Sequence, residues 1–262
     1  KNALVDLQRE IWGERSSIDL DHPDLALHLH LNRGGAVLSL DGSGGSLHRR
    51  GYRAAMGVAP IKENLAAGLI RLTGWDGTSP LVDPCCGSGI LLIEAVLMAL
   101  QKAPGLNRSF ALEGWADFEP ELWQQEQERA RHRRRGDLEL PPVIGFEQDP
   151  SIADQARANV EAAGLKDLIS IHTGGFQDQP LPDGPGVLVC NPPYGQRIGD
   201  EAELEELYRA LGNYAKAKAA GWQLWLLSGN RNLTGALRLK AERRIPVSNG
   251  GIDCRWLHYD IR

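Results

Sequence analysis

Asp83-Pro84-Cys85-Cys86-Gly87-Ser88-Gly89 joins a short apolar run, Leu81-Val82, to a helix that reads from about Ile90 to Gln101. Glycines at a strand-to-helix turn let the backbone approach a ligand closely, and the helix start offers free N–H groups. Alone, the stretch also suits a plain tight turn. The downstream pattern decides the fold. Val143 to Phe146 reads as a buried strand, and Ser151 to Gly164 as a helix with a clear cap pair. Ile169 to Ile171 and Val187 to Cys190 read as strands, Leu204 to Ala220 as a helix, and Trp222 to Leu227 as a strand. Ile245 to Val247 and Cys254 to Ile261 flank Asn249-Gly250-Gly251, a hairpin signal. Strands alternating with helices over this length predict an open α/β sheet of the Rossmann-like kind. It is mostly parallel, with helices on both faces and one terminal antiparallel strand. Ligands of such sheets sit outside the carboxyl ends of the strands. Three loops fall there: 83–89, 147–149 and 191–194.

Upstream the texture differs. Residues 1–19 carry Leu4, Leu7 and Ile11 at helical spacing, and Leu25, Leu27, Leu29 and Leu31 alternate as in a half-buried strand. Val37 to Leu40 make a second strand after Gly34-Gly35, so residues 1–50 read as a small antiparallel appendage and 51–262 as the main domain. A helix is expected from near Pro60 to Thr73, and another from Pro120 to Arg135. The 262 residues are 42% hydrophobic and 24% charged, which rules out wholesale disorder. The net charge of −5 argues against binding polyanions through global charge, but not against local patches. Two basic patches exist, one holding Arg49, Arg50 and Arg53, the other Arg129 to Arg135 with Arg133 and Arg134. The second equally suits a helix C-terminus, where cations are favoured. The apolar run Ile90 to Leu100 is broken by Glu94 and too short to span a bilayer. Four cysteines without a C-x-x-C pair imply reduced thiols in a cytoplasmic protein, and no signal peptide is evident. The absent initiator Met points to a processed or excised fragment. His28 and His30 lack a third partner, so no metal is expected.

The loops carry chemistry. A dinucleotide fold wants a third glycine three residues after Gly89; position 92 is Leu, which disfavours a nicotinamide oxidoreductase. Glu147, at a strand end, can accept both hydroxyls of a ribose, while Asp149 with Pro150 behind it reads as a helix N-cap. Asn191-Pro192-Pro193-Tyr194 follows a buried strand. The Asn191 side-chain oxygen and the Pro192 carbonyl are two acceptors, stiffened by two prolines, and Tyr194 supplies a flat face. Together they suit a planar base bearing an exocyclic amine.

These residues resemble the S-adenosylmethionine-dependent amino-methyltransferases, of the class I Rossmann-like fold. Added to Leu47-His-Arg-Arg-Gly-Tyr-Arg53 and Ala59-Pro-Ile-Lys-Glu-Asn-Leu-Ala66, they make the chain similar to the THUMP-linked RNA methylases. Within these it is most like the RlmL-type catalytic domain, which makes N2-methylguanine in 23S ribosomal RNA. The likeness covers roughly residues 20–262 and implies a role for each loop. Asp83, with Pro84 and Cys85, meets the methionine amino group, and Gly87 to Gly89 pass beneath the cofactor. Glu147 and Gln148 hold the ribose, Pro60 and Asn64 approach the methionine end, and Asn191, Pro192, Pro193 and Tyr194 grip the base. Independently of the resemblance, the two basic patches make Arg49, Arg50, Arg53, Arg133 and Arg134 the candidate RNA contacts, with a solvated, charged surface as the even alternative. S-adenosylhomocysteine is the product, ribosomal RNA the partner, and a THUMP domain is expected in the full-length protein. The pattern departs at Gly175, where relatives carry an acid for the adenine amine; Asp178 is a substitute through a loop shift, or Phe176 packs on adenine.

Methyl transfer is an in-line displacement in which the protein mainly positions and desolvates. Adenine N6 in RNA or DNA is the alternative target, and a non-catalytic RNA-binding module the alternative of another class. Cys85 reads as a packing residue rather than a nucleophile.

Overall fold

The structure, a computed structural model, describes residues 2–53, 61–194 and 201–262. It divides into two compact units, residues 1–46 with 109–125, and residues 47–108 with 126–262. The first unit contains helix α1 (Asn2–Trp12) and an antiparallel hairpin of β1 (Ala26–Asn32) and β2 (Gly35–Asp41), in which Leu29 faces Leu38. The alternation predicted from Leu25 to Leu31 is therefore a strand, but Leu29 and Leu31 are 62% and 70% exposed rather than half-buried. Leu112 N–H donates to the Gly42 carbonyl at 3.1 Å, which fastens the 3-10 turn Ala111–Gly114 to the end of the hairpin.

The second unit is the Rossmann-like sheet. Its strands are β3 (Leu81–Asp83), β4 (Val143–Glu147), β5 (Ser170–Thr173), β6 (Val187–Cys190), β7 (Gln223–Ser228), β8 (Arg243–Asn249) and β9 (Ile252–Asp260). They lie in the order β5-β4-β3-β6-β7-β9-β8. β5, β4, β3, β6 and β7 run parallel, and β9 is antiparallel to both its neighbours. The strand order reverses between β3 and β6, the crevice where such sheets take ligands. The terminal hairpin does not simply extend the sheet. β9 enters beside β7, leaving β8 at the edge, where Pro246 is tolerated because its missing N–H breaks no central ladder.

Helices cover both faces. β3 and β6 are buried along their whole length and so read as continuous apolar runs. Successive residues of β7 and β9 alternate between two cores: Trp225, Leu227, Cys254 and Trp256 face one, Leu224, Leu226, Leu257 and Tyr259 the other. Helix α2 (Glu63–Thr73), α3 (Ile90–Ala99) and α5 (Pro150–Ala162) pack on the first side, and α6 (Glu201–Lys218) with the short α7 (Arg231–Ala236) on the second. α3 is buried from Ile90 to Leu97, which is why it is apolar all round. α5 begins as its sequence predicts, with Asp149 accepting from Ser151 N–H at 2.8 Å and Pro150 at the first helical position. The helix expected to run to Arg135 is α4 (Pro120–His132), ending three residues earlier. Among the described residues no helix is long and apolar enough to cross a membrane.

α6 and α7 meet backbone to backbone at Gly212. A Cβ there would overlap the Leu237 carbonyl and lie 2.8 Å from its carbon, and a carbonyl cannot swing aside as a side chain can. Gly212→Ala is therefore expected to destabilise the protein by about 1–3 kcal/mol. This should appear as a lower urea midpoint with unchanged slope.

Candidate active site

The site forms where β4, β3 and β6 end side by side. Parallel register sets Val82 against both Ile144 and Leu188, so the loops after the three strands leave the sheet along one edge. The loop after β3 is closed by the loop after β4. Glu147 accepts from Gly87 N–H through Oε2 at 3.0 Å and from Asp149 N–H through Oε1 at 2.9 Å. Gly87 has φ +53 and Gly89 φ +81, backbone conformations that require glycine here. Asn159 secures the loop from beneath, its Nδ2 donating to the Ser88 carbonyl at 3.0 Å.

Asp83 stands at the head of this loop, 1% exposed, and its Oδ1 accepts from Cys85 N–H at 3.0 Å. Burial, with the Glu147 charge adding to it, pushes its carboxyl up to about 8. Among the described residues no cation pairs with it. A buried acid without a counter-ion fits a ligand that brings its own positive charge.

The loop after β6 touches the same place. Cys190 ends β6 with its thiol against that of Cys85, and burial pushes the Cys190 thiol up, so its sulfur acts as a packing group. Asn191 comes next. Its Oδ1 is fully buried and has no hydrogen-bond partner among the described residues. A stranded acceptor of this kind costs about 1–3 kcal/mol and calls for a function. Pro192 is buried and Pro193 half-buried. The Tyr194 hydroxyl accepts from Asn249 Nδ2 at 2.7 Å, and burial pushes the phenol well above its usual value, so the ring stays neutral.

Residues 50–258 match the protein family described as RMKL-like, methyltransferase domain, and residues 1–41 match the THUMP domain. The chain belongs to the RMKL-like methyltransferases. It is 41% identical over its whole length to a Synechocystis protein named as a candidate RNA methyltransferase, of which it spans 68%. It is 43% identical to the ribosomal RNA large subunit methyltransferase K/L of Syntrophotalea carbinolica, of which it spans 38%. Among solved structures, it superposes with TM-score 0.89 and 31% identity on a protein described as a candidate methyltransferase, crystallised with S-adenosylhomocysteine. That match covers all of this chain and 68% of the other.

In this RMKL-like site the structure brings together Asp83, Pro84, Cys85, Gly87, Gly89, Glu147 and Asn191 to Tyr194. Gln148 is exposed just beyond β4, and Asn64 is exposed in the first turn of α2. Pro60 lies outside the described residues. Other positions differ from expectation. Phe176 is 3% exposed and packs edge-on against Tyr214 at 5.2 Å, so it is a core residue with no open face for an adenine. Asp178 lines a shallow depression with Lys218, Gly221 and Trp222 near the amino end of β7, away from the site. Over Gly175 lies instead the Gln177 carboxamide oxygen. Arg50 and Arg53 are not surface groups. Arg50 pairs with Glu94 at 3.2 Å and Arg53 with Glu63 at 3.2 Å, their side chains only 12% and 14% exposed. The Tyr52 hydroxyl donates to the other Glu94 oxygen at 2.7 Å. The acid that interrupts the apolar α3 is thus the anchor of residues 50–53, and these two guanidinium groups are committed to internal ion pairs. Arg49, Arg133 and Arg134 are exposed. Asn159 and Asn249 had no signal in the sequence beyond a helix interior and a turn.

Raising the Asp83 pKa from 3.8 to about 8 means that the folded protein holds a proton the unfolded chain has lost. Folding stability supplied by this group therefore falls as pH rises through that interval and levels above it. Asp83→Asn keeps the acceptor for Cys85 N–H and removes the titration. Its stability relative to the parent should climb steadily from about pH 4 to about pH 8, at up to about 1.4 kcal/mol per pH unit. Urea midpoints of both proteins across that range provide the measurement.

Proposed function

We propose that this chain is the catalytic part of an S-adenosylmethionine-dependent RNA methyltransferase that methylates the exocyclic N2 amine of a guanine in large-subunit ribosomal RNA. The observation that carries this reading is the buried, unpartnered Oδ1 of Asn191 at the mouth of the β3–β6 crevice. The names of the relatives support large-subunit ribosomal RNA as substrate, the resemblance of the motifs supports guanine, and the geometry offers a buried acceptor beside a glycine loop.

Bound S-adenosylmethionine supplies a methyl group made electrophilic by its sulfonium. The chain's own residues do the rest. Asp83 receives the ammonium of the methionine part, which turns a strained neutral acid into a paired carboxylate. Gly87 to Gly89 give the backbone close approach, and Glu147, whose two oxygens each have a lone pair left, accepts from the ribose hydroxyls. Asn191 Oδ1 and the Pro192 carbonyl accept the two amine hydrogens of the base. A guanine amine is a poor nucleophile because its lone pair is delocalised into the ring. Two fixed acceptors draw the nitrogen toward tetrahedral geometry and stabilise the positive charge that develops on it, and its surplus proton then passes to water. The base must leave its stack to reach the notch, and the neutral Tyr194 ring replaces part of the lost stacking. Arg49, Arg133 and Arg134 are free to face phosphates, and the THUMP-matching appendage within residues 1–50 adds RNA affinity to the catalytic domain 51–262. Ribosomal RNA as substrate sets the work in the cytoplasm.

The test is methyl transfer from labelled S-adenosylmethionine to an unmodified 23S transcript, with mass spectrometry of the nucleosides. N2-methylguanosine is expected; N6-methyladenosine would move the target to adenine, and no product with a folded protein would favour a binding module. Asn191→Ala should lower turnover about a hundredfold or more with cofactor affinity nearly unchanged. Glu147→Ala should instead weaken cofactor binding about tenfold or more by calorimetry, because it removes both the ribose acceptor and the brace on Gly87.

A further inference from the structure

We infer that Asn249 is a positioning residue for methyl transfer: from the far hairpin of the sheet it fixes the plane of the Tyr194 ring, and with it the stacking plane of the target base beside Asn191. This rests on the reading of residues 191–194 as the loop that grips the base.

Asn249 is the last residue of β8 and pairs with Ile252 across the turn at Gly250-Gly251. β8 is the edge strand, separated from β6 by β7 and β9. The hydrogen bond from Asn249 Nδ2 to the Tyr194 hydroxyl, 2.7 Å, thus reaches across the ends of two intervening strands. The crossing is open because Gly229 comes directly after β7. A Cβ there would lie 3.3 Å from Tyr194 Cδ2, 3.1 Å from Ile252 Cγ2 and 3.4 Å from Cys254 Sγ. One edge of the tyrosine ring, Ile252 and Cys254 therefore all close on Gly229, with the Cys254 thiol beside the tyrosine hydroxyl.

A tyrosine held only at its Cβ can turn about two torsions. The backbone end of this one is stiffened by Pro192 and Pro193, and the amide of Asn249 secures the opposite end. With both ends held, the ring has one plane, and a base stacked on it presents its amine at one height relative to Asn191 Oδ1. A misplacement of about 1 Å in such a site costs up to about a hundredfold in rate. Asn249 does not touch the base; its effect passes through the tyrosine hydroxyl, and that route makes it testable.

The experiment is a double-mutant cycle on methyl transfer to the unmodified 23S transcript, with Asn249→Ala, Tyr194→Phe and the pair, and Asn191→Ala as reference. Asn249→Ala and Tyr194→Phe should each lower kcat/KM about tenfold, and the pair no more than either alone. Cofactor affinity should stay at the parent value. Asn249→Asp, whose carboxylate accepts from the hydroxyl, should restore part of the loss, and only while Tyr194 keeps that hydroxyl. It also serves if the alanine variant does not fold. A purely structural role would lower the urea midpoint and leave the two substitutions additive in kcat/KM, which would overturn the inference. So would parent kinetics in Asn249→Ala while Asn191→Ala is impaired. Parent activity in Asn191→Ala would remove the reading of the loop itself, and the inference with it.

Discussion

The Glu147 carboxylate holds the working edge of this sheet together. One oxygen takes the N–H of Gly87 from the loop after β3, and the other takes the N–H of Asp149, which itself caps α5. Two loops and a helix start are thereby referred to one side chain. The brace acts where the chain is most free, since Gly87 and Gly89 give the loop after β3 two residues with little intrinsic backbone preference. The brace is charged, and it stands close enough to Asp83 to reinforce the neutral form of that acid. The side chain that shapes the loop after β3 thus also adds to the effect of burial on Asp83. Parallel register then brings the Asn191 loop to the same edge, where Cys190 meets Cys85.

Much of this is legible in the sequence. The three loops can be placed because their neighbours are short, mostly buried strands, whose apolar runs leave little ambiguity, and because glycine and proline mark where such strands stop. Asp149 and Pro150 announce the start of α5 by local chemistry alone. What stays hidden depends on residues far apart in the chain. Arg50 and Arg53 look like a phosphate-binding cluster when read with their neighbours; their partners Glu94 and Glu63 become visible only when α2 and α3 pack. Asn249 reads as a turn residue, which it also is, and nothing local announces Tyr194, 55 residues earlier. Helix α7 is six residues long, too short for periodicity to show. The insertion of β9 inside the sheet is a pairing choice, and a hairpin pattern does not say which of its strands meets β7.

The two arginine–glutamate pairs also change how the basic segment contributes. As a phosphate clamp it would weaken with salt. As a buried network in which Glu94 serves both Arg50 and Tyr52, it is screened little and ties residues 50–53 to the helices beneath the site. Removing one member leaves a buried charge uncompensated, so damage there reaches the site through the scaffold rather than through substrate contact.

The position of β9 has a consequence for the order in which the molecule matures. As the polypeptide leaves the ribosome, β7 emerges with one side of its backbone unsatisfied, and β8 cannot cover it, because the place beside β7 belongs to a strand not yet made. Only when residues 252–260 arrive does the sheet gain its last two members together. Until then the nascent protein carries an open ribbon edge prone to pairing with another chain.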